Sequence, residues 1–209
     1  MKKIYTTILS ILCVIGATAQ SPRAVIKSIA DGEQQKAMER IEKISIKTRN
    51  EMPEMCILAE AALLSMEQQS DECKLRSYEM LTTHIAQIKE SPNIDKVFKG
   101  NDTTLEEVIT NIEQQSFKAV IAIDSASTYR HYISLAEKGG HADMANILRT
   151  FETKMFNDVI SERSVDACTK FLAEFHESQY RNEVEAHRTN LRYDEAMSTT
   201  DESIMELFV

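Results

Sequence analysis

Glycine and proline are scarce in this chain, and they stand at intervals along it. Among 209 residues there are five glycines and three prolines. After residue 20 they divide the chain into segments, at Pro22, Gly32, Pro53, Pro92, Gly100, Gly139 and Gly140. Between these breaks the apolar residues recur at helical spacing and rarely alternate, which favours helices over strands. The sequence therefore predicts an all-α protein.

Residues with strong capping preferences mark where the predicted helices begin. Asp31 precedes a first helix, and Pro53 opens a second one that is apolar on most sides and should lie between neighbours. The run Thr103-Thr104-Leu105-Glu106 predicts a capping box for a long helix. Ser164 is an expected cap near the end of the chain, and Thr199 precedes a short amphipathic segment. The segment 91–103 interrupts the helical pattern.

Helix ends are also marked, and the connections between helices are short. Residues 124–127 should bend or restart a helix, and Lys138 before Gly139-Gly140 is typical of a C-cap. In all, the pattern predicts about nine helices, and short turns make consecutive helices antiparallel hairpins. Moderately amphipathic hairpins of this kind bury their apolar faces by stacking.

The first residues have the composition of a secretory signal peptide. Two lysines precede a mostly apolar run over residues 4–15, and Ala17-Thr18-Ala19 puts small residues where a signal peptidase cuts. We expect cleavage after Ala19 and a periplasmic or secreted protein. A buried N-terminal helix or another cleavage point is the alternative. Leu12 stands before Cys13, where a lipoprotein needs a small residue, so no lipid anchor is expected.

The remaining chain, residues 20–209, suits one domain with an acidic surface. The full chain has a formal net charge of −9, and losing the signal removes two lysines and no acidic residue. Such a surface repels nucleic-acid phosphates and anionic lipids, so neither is an expected partner, whereas a basic protein or peptide is. No later stretch is apolar for 18 residues, so no membrane span is expected after cleavage.

Three cysteines follow the signal: Cys56, Cys73 and Cys168. An odd number leaves at least one thiol outside any internal disulfide. On antiparallel helices that turn near Gln69, Cys56 and Cys73 would lie ~13 Å apart, beyond the ~7 Å limit for a disulfide. We therefore expect buried thiols that pack as small hydrophobic groups. Nine methionines follow the signal, and they are expected mainly in the core, with an adaptable binding surface as the alternative.

No arrangement of residues predicts catalysis, a cofactor or a metal. The five histidines form neither HExxH nor an i, i+4 pair, and GxSxG, GxGxxG and phosphate-loop motifs are absent from the sequence. Cys168 and His176 on one helix would be ~12 Å apart, too far for a nucleophile and its base. A metal site formed by His176 and His187 with Glu177 and Glu183 is the alternative.

The stretch ACTKFLAEFHESQY, residues 167–180, resembles the second helix of a tetratricopeptide repeat in bacterial exported proteins. Ala167 takes the small position that lets helices approach, and Phe171 takes the aromatic position four residues later. Phe175 and Tyr180 match the exit from the repeat. His176 replaces the usual proline, and upstream the first helix of the repeat does not match. The resemblance implies a solenoid of stacked helical hairpins.

Weaker matches to the same second-helix pattern begin at Ala37 and Ser77. Their spacings to each other and to Ala167 are not multiples of the 34-residue repeat, so we describe the chain as tetratricopeptide-like. An irregular helical bundle is the alternative fold. The resemblance implies an exported scaffold that binds a polypeptide partner in a helical-repeat groove without catalysis. A metal-dependent or hydrolytic enzyme with dispersed residues, a small-ligand role and a structural role are the alternatives.

Overall fold

The protein is all-α, as predicted, in a computed structural model that describes residues 20–198. No strand occurs in that range, where an isolated parallel bridge joins Gln20 and Ile44. The signal peptide predicted for residues 1–19 and the short segment predicted after Thr199 lie outside the described residues. Within them eleven helices follow one another: α1 (Pro22–Ala30), α2 (Gln34–Glu42), α3 (Ile46–Glu51), α4 (Pro53–Leu64), α5 (Asp71–Glu90), α6 (Ile94–Phe98), α7 (Leu105–Ile123), α8 (Ala126–Gly139), α9 (Met144–Glu162), α10 (Val165–Glu174) and α11 (Arg181–Ser198).

Several helix boundaries confirm the predictions. Pro53 is the first residue of α4, and the Ser164 hydroxyl accepts a hydrogen bond from the Ala167 N–H at the start of α10. Asp124 ends α7 in the left-handed conformation, with φ at 50°. Gly140 ends α8 with φ at 70°, a conformation that glycine adopts without steric cost. These ends are local features, so the local sequence specifies them.

Two predicted starts are wrong. Asp31 does not cap α2, because it is already the C-cap of α1, a helix that the sequence reasoning missed; Glu33 precedes α2 and makes no side-chain cap. The capping box lies one residue later than predicted. The Thr104 N–H donates to the Glu107 carboxylate at 2.7 Å, and the Glu107 N–H donates to the Thr104 hydroxyl at 3.2 Å. This register makes Leu105 the first helical residue.

The interruption predicted over residues 91–103 contains a short buried helix. In α6, Val97 has no exposed surface and Phe98 is 9% exposed. This helix packs against α1, and the side-chain amide of Asn93 donates to the Glu51 carbonyl at 3.2 Å. The segment therefore breaks the helical pattern without leaving the core.

Helix α4 is the centre of the larger core, as its apolar composition predicts. It packs against α1, α2, α3, α5 and α7. Buried hydroxyls tie the neighbouring helices to one another: Ser77 donates to the Ala61 carbonyl, and Ser116 donates to the Lys74 carbonyl, both at 2.8 Å. Helix α5 also packs against α8, where a Cβ added to Gly139 would lie 2.7 Å from Thr82 Cγ2. The two helices therefore approach closely at this point.

The buried apolar residues form two separate clusters. The larger core runs from α1 to the first half of α9 and includes Leu58, Tyr78 and Ile112. The smaller core joins the end of α9 to α10 and α11, and consists of Val159, Cys168, Phe171, Leu172, Val184 and Leu191. Met155 and Phe175 pack against both clusters. Helices α10 and α11 are thus attached to the larger core through α9 and through the apolar side chains of Met155 and Phe175.

Candidate functional site: a groove between α9 and α10

A groove of about 600 Å³ lies between α9 and α10, beside Arg130 of α8. Each of the two helices presents one face to it, at positions i, i+3, i+4 and i+7, because these positions share a helix face. From α9 these residues are Met155, Asp158, Val159 and Glu162, and from α10 they are Ala167, Lys170, Phe171 and Glu174. The turn at residues 163–164 keeps the two faces side by side.

The floor of the groove is apolar. Val159 and Phe171 belong to the smaller core and are 4% and 1% exposed. Met155 and Ala167 are half-buried, so part of each side chain faces the open groove. This combination leaves apolar surface accessible beside a core that is already formed, which is the arrangement that binding clefts commonly have.

The rim of the groove is charged. The Arg130 guanidinium donates to both carboxylate oxygens of Glu174, at 2.9 and 3.2 Å, and also lies 5.3 Å from the centroid of the Phe151 ring. Lys170 pairs with Asp166 at 2.6 Å. Glu162 is exposed and forms no ion pair with any residue between 20 and 198. The groove lining has three acidic and two basic side chains, so its net charge is negative.

Aromatic contacts link this end of the molecule to the larger core. Phe175 meets Phe151 with ring centroids 5.7 Å apart and Phe171 with centroids 4.9 Å apart. Phe151 in turn stacks on Tyr129 at 5.6 Å. A continuous row of four rings therefore joins α8 and α9 to α10, and it ends at Phe171 on the floor of the groove.

The four residues singled out by the tetratricopeptide resemblance lie around this region. Ala167 and Phe171 line the groove, and Phe175 sits at the junction of the two cores. Tyr180 stacks on Phe156 with centroids 4.2 Å apart, and its hydroxyl is 3.1 Å from the Thr153 hydroxyl.

Residue 167 is not the most deeply buried small position of α10. Ala167 is half-buried, whereas Cys168 has no exposed surface. The smaller core therefore closes over Cys168, and Ala167 faces the groove beside it. Nothing in the sequence placed the groove residues of α8 and α9 beside α10, because they meet α10 only through the tertiary fold.

The cysteines between residues 20 and 198 are free thiols. Cys56 and Cys168 are buried, and burial raises the pKa of both thiols above the usual value. A thiol with a raised pKa is a weak nucleophile at neutral pH. The described residues contain no group of three or more His, Cys, Asp or Glu side chains placed to hold a metal ion.

Comparisons of the chain with protein families, with curated proteins and with solved structures find no match. None of the helices in the described range is both long and apolar enough to cross a membrane.

Proposed function

We propose that this protein is an exported interaction scaffold that binds a basic amphipathic segment of a polypeptide partner in the groove between α9 and α10. The observation that carries the proposal is the open apolar floor between two helix faces, with a net negative charge on its rim. In this proposal the helical hairpins stack in a tetratricopeptide-like manner, which is supported by the packing of consecutive helices such as α4 with α5 and α10 with α11.

An amphipathic helix is the expected shape of the bound segment. The groove-lining residues from Met155 to Glu162 extend ~10 Å along α9, which about two turns of a partner helix would cover. Such a helix presents apolar anchors at i, i+3, i+4 and i+7, the same spacing as the groove faces. Polar residues on its other face would then meet the charged rim.

Charge favours a basic partner over the other possible occupants. The last eleven residues of the chain carry three acidic and no basic side chains, so Glu162 would repel them. A second copy of the exported chain would be more acidic still than the full chain, whose formal charge is −9, because it lacks the two lysines of the signal peptide. A lysine- or arginine-rich segment is instead attracted, and electrostatic attraction of this kind speeds association at low salt.

A pair of synthetic peptides tests the proposal. Both have the same leucine stripe over about three helical turns, and one carries lysine where the other carries glutamate. Fluorescence anisotropy should show that the lysine peptide binds at least about tenfold more tightly, and that its affinity falls as salt screens the rim charges.

Substitutions in α10 and α11 supply the controls. Ala167→Leu places a large side chain in the groove and should abolish binding, whereas Ala186→Leu on the exposed surface of α11 should not alter it. Equal binding of the two peptides, or equal binding by the two variants, would show that the groove is not the docking site. Intact-mass measurement of the exported protein tests the predicted signal cleavage separately, since the cleaved chain should begin at Gln20.

A further inference from the structure

The face of α9 that forms the groove continues toward the start of the helix, where it lines a second pocket of about 610 Å³. Positions that line either cavity follow one another at intervals of three or four residues and so form one stripe along α9: Ala145, Leu148, Glu152, Met155, Val159 and Glu162. The first three line the second pocket, and the last three line the groove. Glu174 lines both cavities, so they adjoin at that residue.

Helix α10 is too short to cover the whole of this stripe. α9 has 19 residues and α10 has 10, which correspond to ~28 Å and ~15 Å along the helix axes. Leu148, in the part of the stripe that lines the second pocket, is 46% exposed. Apolar surface of α9 therefore stays accessible there.

Glu152 brings a buried acceptor to the second pocket. One of its carboxylate oxygens, Oε1, is shielded from solvent and accepts no hydrogen bond from the described residues. Burying an acceptor without a donor is unfavourable, and burying part of a charged group is more so. A ligand that donates to this oxygen removes that cost.

The unpaired charge in the second pocket is negative. Glu177 is exposed and, like Glu152, forms no ion pair with any residue between 20 and 198. The Glu174 carboxylate is already paired with Arg130. Arg149 also lines the pocket and has no ion pair in that range, but an adjoining cavity of about 230 Å³ is lined by Glu152 and Glu177 and not by Arg149. Two carboxylates that face one cavity without a counter-charge favour a cationic ligand.

We propose that the second pocket binds an arginine side chain of the partner segment, an inference that rests on the proposed docking of that segment in the groove. The guanidinium pairs with the carboxylates of Glu152 and Glu177, for which its planar set of donors is well suited. Phe175 lines the same cavity and offers an aromatic surface to the guanidinium, and Leu148 offers apolar surface to the stem of the side chain.

The place of the second pocket on α9 predicts where this arginine stands in the partner. Glu152 precedes Met155 by three residues, a rise of ~4.5 Å, or about one helical turn. A partner helix that lies along α9 therefore carries the arginine about one turn beyond its last apolar anchor.

Fluorescence anisotropy with lengthened peptides tests this assignment. The leucine-striped lysine peptide is extended by one alanine-rich helical turn that ends in arginine, at the N-terminus in one peptide and at the C-terminus in another, since a helix can lie along α9 in either direction. Each is compared with the same peptide carrying citrulline, which has the shape of arginine without its charge. At one of the two ends, arginine should bind at least about fivefold more tightly than citrulline, and lysine should fall between them.

Substitutions of opposite sign sharpen the test. Glu152→Gln and Glu177→Gln should each reduce the preference for arginine over citrulline, whereas Glu183→Gln on the exposed surface of α11 should not. Arg149→Gln removes a like charge from the pocket and should increase the preference, and Arg192→Gln, at an exposed position of α11, should leave it unchanged. All of these variants should still bind the unextended lysine peptide, which shows that the fold and the groove are intact.

The unextended peptide separates failure of this proposal from failure of the groove. If it binds but arginine gives no gain over citrulline at either end, or if Glu152→Gln leaves the gain unchanged, the pocket does not bind arginine and the groove proposal stands. If neither the unextended nor the extended peptides bind, the groove proposal is wrong and this one falls with it.

Discussion

The two cores of this molecule are built from the same kind of helix but differ in how completely they enclose their apolar residues. In the larger core, α4 has neighbours on most sides, and Met55, Leu58, Ala59 and Ala61 have no exposed surface. In the smaller core six residues are buried, and α10 and α11 keep one face in solvent. The difference arises from position, because the last helices of the described chain have neighbours on one side.

This contrast matters for function, because the proposed groove lies beside α9, the helix that belongs to both cores. Regions with few buried apolar contacts open locally at a lower free energy than the rest of a protein. The smaller core therefore combines accessible apolar surface with a lower expected cost of rearrangement. The larger core supplies the fixed platform against which α9 is held.

Truncating one deeply buried side chain in each core gives the largest expected effect. Leu58→Ala and Phe171→Ala each truncate a side chain that is at most 1% exposed. Each should lower the free energy of unfolding of its own core by about 2–5 kcal/mol. Hydrogen exchange should show lost protection throughout the helices for Leu58→Ala, and mainly in α10 and α11 for Phe171→Ala. Equal loss in α4 for both variants would mean that the two cores unfold as one unit.

Enlarging two neighbouring small residues of α10 should distinguish a position in the core from a position that faces the groove. Cys168→Leu overfills a position with no exposed surface and should destabilise by about 1–3 kcal/mol. Ala167→Leu extends into the open groove and should change the free energy of unfolding by less than about 0.5 kcal/mol. Thermal unfolding of both variants distinguishes these outcomes. If Ala167→Leu were the more damaging change, the groove would not be open beside residue 167.

Replacing the aromatic residue at the junction should weaken the attachment of the smaller core. Phe175→Leu keeps a half-buried apolar side chain but removes ring contacts with Phe151 and Phe171, each worth about 0.5–1.5 kcal/mol. Phe98→Leu, in a buried position of the larger core, is the matched control. Hydrogen exchange should show reduced protection of α10 and α11 in Phe175→Leu alone, and identical exchange in both variants would argue against a junction at residue 175.

A pH effect on the larger core is the smallest expected change. His141 Nδ1 accepts a hydrogen bond from the Asp143 N–H at 2.9 Å, and the ring meets Tyr78 and Tyr132 edge-on, with centroids 5.9 and 6.0 Å away. Burial lowers the pKa of His141 below its usual value of 6.5, although Asp143 opposes this. The unfolded chain therefore takes up a proton before the folded protein does.

Stability should accordingly fall as the pH drops below about 6.5, and this loss should end once the pH passes below the folded-state pKa of His141. Urea unfolding at about pH 8 and about pH 5.5 measures the loss, which should be smaller in His141→Gln. His131→Gln changes an exposed histidine and is the control. An unchanged pH dependence in His141→Gln would assign the effect to other groups.

The sequence predicted local structure well, because helix boundaries depend on a few neighbouring residues. Pro53, Ser164 and Gly140 act where their types indicate. The missed α1 carried such a signal too, since the Ser21 hydroxyl accepts the Ala24 N–H and Pro22 follows it.

The candidate sites were much less predictable, because they depend on contacts between distant segments. Arg130 and Glu174 are 44 residues apart, and neither is distinguished from other surface charges in the sequence. The resemblance to a helical repeat pointed to α10, but it gave no information about the helices beside it.

The close crossing of α5 and α8 has a consequence for how this sequence can diverge. A side chain at position 139 would collide with the Thr82 methyl group at 2.7 Å, and the Thr82 Cβ lies only 3.4 Å away. Alanine or serine at 139 therefore requires a smaller residue at 82 or a displaced α8. Among natural descendants of this chain, the two positions should be inherited as a coupled pair, with any gain in volume at 139 accompanied by a loss at 82.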